Sequence, residues 1–172
     1  VPEAIMRFNA PQSRSVLIGE NIFNENELNC RIEVELEKFT KKVQIESRVL
    51  GDLAINHIIP TAVNYQNRLL ENLRGLREIF SAEEYEMLGA DRRELVKEIQ
   101  LRVLEIKRLV SEMTEARHIA NRLDSQIKKA YSYQETVSPY MEKIREHIDH
   151  LELEIDDEIW PLPKYRELLF TK

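Results

Sequence analysis

Glycine is scarce in this chain, 4 residues in 172, against a usual share of about 7%. Glycine supplies the tight turns and close backbone approaches that phosphate loops and nucleophile elbows require. Its scarcity argues against a nucleotide or acyl-transfer site built from these residues. Cys30 is the only cysteine, which excludes a disulfide framework and points to a reducing cytoplasm. No apolar run approaches the roughly 18 residues of a membrane span, and no signal peptide is visible. Excess positive charge is also missing. The formal net charge is -6, which opposes nucleic acid binding, because that affinity comes largely from phosphate neutralisation. The first residue is Val rather than Met, so the chain is expected to be a processed or excised piece.

What is present is helical sequence. Hydrophobic residues make up 42% and charged residues 33%, enough for one globular domain with a real core. Residues 1–24 are a loop-rich lead-in: Pro2 sits near the first turn of a short helix, and Pro11 and Gly19 break the chain. A strong helix start follows. Asn24 is placed to cap the first free amides, Glu27 to reach back in a capping box, and Phe23 to staple onto Leu28. Leu28, Ile32, Leu36, Phe39, Val43, Leu50 and Leu53 then recur at helical spacing. That helix is expected to run to about Ile59 and to kink or end at Pro60, which lacks a backbone donor and clashes with the preceding turn. Tyr65, Leu69, Leu73, Leu76 and Phe80 carry the pattern on.

Ser81 and Glu84 repeat the capping box, and Gly89 is a candidate break. Leu95, Ile99, Val103, Ile106, Val110, Met113 and Leu123 mark a further long helix. Ser138 is read as the cap of the last one, with Pro139 at its first position and an end near Trp160, before Pro161. The fold class is therefore all-α: an antiparallel bundle of three to four long helices over residues 25–172, the first kinked at Pro60, with a proline-stiffened tail.

No catalytic, cofactor-binding or metal site emerges. Glu115 and His118 form a single Glu-x-x-His pair, whereas di-metal bundles need two. His147 and His150, beside Glu146 and Glu154, read as a solvated helix face, and Cys30 as a small core residue. The tail is different. Five acids lie between Glu152 and Glu158, near a helix C-terminus where the macrodipole disfavours them. Arg68, Arg74 and Arg77 are candidates to match them. Trp160, Leu162, Tyr165, Leu169 and Phe170 follow on a stiff segment that loses little entropy on docking. With Pro60 they are the candidate packing or docking residues, either on the chain's own bundle or on another domain or subunit.

Two stretches carry a resemblance. "SRVLGDLAINHIIPTAVNYQNRLLENLRGLREIF" (Ser47 to Phe80) and "DDEIWPLPKYRELLF" (Asp156 to Phe170) closely resemble the C-terminal region of type III glutamine synthetases, the large bacterial form. "AYSYQETVSPYMEKIREHIDHLELEID" is similar too, and the match runs in order over residues 25–170. Arg92 to Asp124 match only as a charged helix, and His57 stands inside the "AINHIIP" motif without an evident role. Residues 1–24 resemble, more weakly, the end of the catalytic domain. The resemblance implies an enzyme that makes glutamine from glutamate, ammonia and ATP with Mg or Mn ions. It implies a dodecamer of two stacked hexameric rings, with catalytic, metal and nucleotide residues upstream of this chain. It therefore implies partners in the chain's own catalytic domain and neighbouring subunits, and an inactive fragment. The rival reading is a stand-alone helical-bundle adaptor.

Overall fold

The structure, a computed structural model, describes residues 1–170; the side chains of Tyr165 and Arg166 lie outside that description. Among the described residues the regular structure is entirely helical. Helices α1 (Pro2–Met6) and α2 (Pro11–Gly19) are followed by α3 (Glu25–Leu53), α4 (Ile59–Ile79), α5 (Ala82–Leu88) and α6 (Ala90–Asn121). Then come α7 (Gln126–Ser132), α8 (Ser138–Glu154) and the single turn α9 (Tyr165–Leu168).

Both capping boxes form. Asn24 Oδ1 accepts from the Glu27 amide at 2.9 Å while Glu27 Oε2 accepts from the Asn24 amide at 2.8 Å. Ser81 and Glu84 exchange the same pair of bonds. Gly89 ends α5 as its C-cap.

Four local expectations change. Residues 11–19 are helix, not loop, because Pro11 stands at the first helical position, where its missing donor costs nothing. The turn that follows uses Asn21, at φ 55°, rather than Gly19; Asn tolerates the left-handed region better than other side chains. Pro60 does not end its helix. The chain passes from α3 into α4 through a π turn, Ala54–Ile58, so the irregularity expected at Pro60 lies just ahead of it. A second π turn, Tyr133–Val137, precedes Pro139 in the same way. The wider π turn relaxes the contact between the proline ring and the carbonyl one turn back. Hydroxyls take up nearby carbonyls: Thr61 Oγ1 donates to His57 O at 2.9 Å and Ser138 Oγ to Tyr133 O at 3.2 Å. Ser138 is therefore a helical residue and not an N-cap. The cap lies upstream at Ser125, which opens α7. Finally, α8 ends at Glu154, short of Trp160.

The chain divides into two compact units. The first comprises Val1–Leu50 and Ser111–Glu142. In it Leu28, Ile32, Leu36 and Ala130 are buried together, with Ile5, Leu17 and Phe23 packed against them, so the lead-in helices cover one face of α3. Cys30, expected in the core, is exposed; it stands on the face of α3 opposite the Leu28–Ile32–Leu36 stripe. The second unit comprises Gly51–Val110 and Lys143–Lys172. There α4 and the start of α6 run antiparallel: Leu73 approaches Gly89, and the buried Gln66 donates to Val96 O at 2.8 Å. Ile99, Val103 and Ile106 on α6, and Ile144, Ile148 and Leu151 on α8, are among its buried aliphatics.

Candidate docking surface

The tail is built from the end of α8. Asp156 makes a tight turn: its Oδ1 accepts from the Glu158 amide at 3.0 Å, and its carbonyl accepts from the Ile159 and Trp160 amides, each at 3.1 Å. Its other carboxylate oxygen lies 3.7 Å from Arg68 Nη1 on α4. Of the three arginines proposed to match the acids, Arg68 does so. Both partners are more than a third exposed, so the pair orients the turn more than it stabilises it.

The turn delivers Trp160 into the second unit, where it is 8% exposed. Its Nε1 is buried and has no acceptor among the described residues. Lys164, four residues on, does what the sequence reading missed. Its ammonium donates to the carbonyls of Glu152 at 2.7 Å and Ile155 at 3.5 Å. It also forms an ion pair with Asp157 and lies 5.9 Å from the Trp160 ring centroid. One cation thus caps the last carbonyls of α8, offsets the macrodipole, and neutralises one of the acids. A lysine just beyond a helix C-terminus was the available signal.

Past Lys164 the character reverses. Leu162 is half-buried, but Leu168, Leu169 and Phe170 are 57%, 75% and 82% exposed. The side chain of Tyr165 lies outside the described residues. Pro60 is exposed, in the first turn of α4. The candidate residues are therefore not one patch. Trp160 anchors the tail, Leu169 and Phe170 are free of it, and Pro60 is on another element.

The histidines and acids do not assemble. Glu115 and His118 are exposed. His147 lines a shallow hollow with Glu98, Arg102 and Glu105, and its Nδ1 is buried without a partner among the described residues. Among the described residues no three of His, Cys, Asp and Glu come close enough to hold a metal ion. No helix among them is long and apolar enough to cross a membrane.

An all-α chain with a lysine-capped, tryptophan-anchored tail has relatives. Residues 1–77 match the family described as "Glutamine synthetase C-terminal domain". All 172 residues align at 71% identity with a glutamine synthetase of Bacteroides fragilis (strain YCH46), covering 24% of it. The chain is also 25% identical, over 99% of its length, to a type-3 glutamine synthetase of Dictyostelium discoideum, and 22% identical to a glutamine synthetase of Butyrivibrio fibrisolvens. The chain spans about a quarter of the length of each of these relatives.

Proposed function

We propose that this chain is the helical C-terminal part of a bacterial, cytoplasmic type III glutamine synthetase and serves it as scaffold. The full-length enzyme would join glutamate and ammonia at the expense of ATP, with Mg or Mn ions. Nucleotide and metal would be held upstream, since among the described residues no three of His, Cys, Asp and Glu gather to hold a metal ion. On this reading residues 1–24 adjoin the catalytic domain and residues 25–172 form the helical part. The partners are the chain's own catalytic domain and neighbouring subunits of a dodecamer of two hexameric rings.

The observation that carries the reading is the 71% identity across the whole chain to a glutamine synthetase four times its length. The tail supports the scaffold role. Trp160 and Lys164 tie its base down, so Leu168, Leu169 and Phe170 are presented from a fixed point at low entropic cost. The test is a glutamine-forming assay of the 172-residue chain beside the full-length protein. ATP-dependent product from the full-length protein alone fits the proposal. Product from the isolated chain contradicts it.

A further inference from the structure

Two places in the chain share one local design. The π turns Ala54–Ile58 and Tyr133–Val137 each bury their first and last residues and expose residues between them: Asn56 and His57 in one, Glu135 and Thr136 in the other. Each is closed by an i to i+5 bond, from the Ile59 amide to Ala54 O and from the Ser138 amide to Tyr133 O. A proline follows at the same offset, Pro60 and Pro139, and both are exposed. Hydroxyls are drawn into the carbonyl ladder at both places. Thr61 Oγ1 donates to His57 O at 2.9 Å, Ser138 Oγ to Tyr133 O at 3.2 Å and Thr136 Oγ1 to Ser132 O at 2.7 Å.

A π turn, a proline and a side chain inserted in the ladder are each a sufficient cause of a helix bend. Here all three coincide, twice. Proline has no amide, so a carbonyl in the turn before it lacks its helical donor. The π turn also trades the tight i to i+4 ladder for a looser one. The missing donors fall on the outer side, where the prolines are exposed, while buried Ala54, Ile58, Tyr133 and Val137 hold the inner side. Such a turn can open outward without parting apolar contacts.

The chain passes from one of its units to the other after Leu50, after Val110 and after Glu142. The first π turn begins just past Leu50, and the second ends just short of Glu142. The middle passage lies within α6, which runs unbroken from Ala90 to Asn121 and holds neither proline nor glycine. We propose that the two π–proline turns are paired joints that let the second unit swing on the first, with unbroken α6 as the pivot. The device is independent of the scaffold reading above.

Cys30 is the only cysteine and is exposed, in the first unit. Met87 is 72% exposed in the second unit, and Ile119 63% exposed in the first. Nitroxide labels are placed on Cys30 with Met87→Cys and, as a control inside one unit, on Cys30 with Ile119→Cys. Pulsed electron paramagnetic resonance of the 172-residue chain should give a broad distance distribution for the first pair and a narrow one for the control. Adding Pro60→Ala and Pro139→Ala, which restore the missing donors, should narrow the first and leave the control unchanged. Hydrogen exchange needs no variant. Amides at residues 54–59 and 133–138 should exchange roughly tenfold or more faster than those of α6 around Val110 and Ser111. A first distribution as narrow as the control, or a broad one that the alanines do not narrow, overturns the proposal. So do π-turn amides that exchange as slowly as those of α6.

Discussion

Lys164 Nζ donates to the carbonyl of Glu152 at 2.7 Å, closing a helix end with a residue from the segment that follows it. The side chain is 13% exposed, so its bonds are sheltered from solvent. Lys164→Met keeps the aliphatic stem and removes the charge. It removes the donor to the α8 carbonyls and the Lys164–Asp157 ion pair. A loss of about 2 kcal/mol is expected, the range of hydrogen bonds to charged groups. Urea unfolding of the variant checks it.

Trp160 is the only tryptophan, so intrinsic fluorescence reports the tail alone. Trp160→Ala should cost about 3–5 kcal/mol, as large aromatic truncations do. Trp160→Phe should cost much less, about 1 kcal/mol. The area lost is partly offset by removing a buried N–H that has no acceptor among the described residues. Melting of the two variants gives the ranking; equal losses would mean the indole N–H is not a burden.

Two helix-associated glycines should respond to alanine with opposite signs. A Cβ on Gly75 would meet nothing within 4 Å. Gly75→Ala should therefore stabilise by about 0.5–1 kcal/mol, through the unfolded chain's lost freedom. A Cβ on Gly89 would lie 3.0 Å from the Tyr85 carbonyl oxygen and 3.1 Å from Leu73 Cδ2. Gly89→Ala should destabilise, because one of those neighbours is backbone. Paired thermal melts decide both.

Ser81→Ala removes the N-cap of α5 and should cost about 1 kcal/mol near neutral pH. The cost should depend on pH in a defined direction. The Ser81 hydroxyl, and then its backbone amide, hold the Glu84 carboxyl below its ordinary range. A depressed folded pKa gives stability that is present above the unfolded value and is lost as pH falls through the folded one. The difference between wild type and Ser81→Ala should therefore shrink in acid. Denaturant midpoints at neutral and acidic pH measure it.

Helix starts were legible because capping is local: Asn24 with Glu27, and Ser81 with Glu84, need only residues three apart. Prolines were not. Pro60 reads as a kink or stop and Pro139 as the first residue of a new helix, but in both places a π turn just ahead of the proline carries the helix on. Pro11 misled for the opposite reason, since it opens a helix. The buried faces of α3 and α6 followed from spacing, whereas Cys30 fell outside the stripe it was assigned to. The tail was visible as an oddity. Its fastening was not, because Lys164 reaches back to Glu152 across a turn shaped by Asp156.

The scaffold role is tested most directly by light-scattering mass of the full-length protein carrying Leu169→Asp with Phe170→Asp. Both side chains are solvent-facing here, so the local fold should tolerate the change. A smaller assembly than wild type, with unchanged helical content, is the expected result. An assembly of wild-type mass with full glutamine-forming activity would contradict the docking role of the tail.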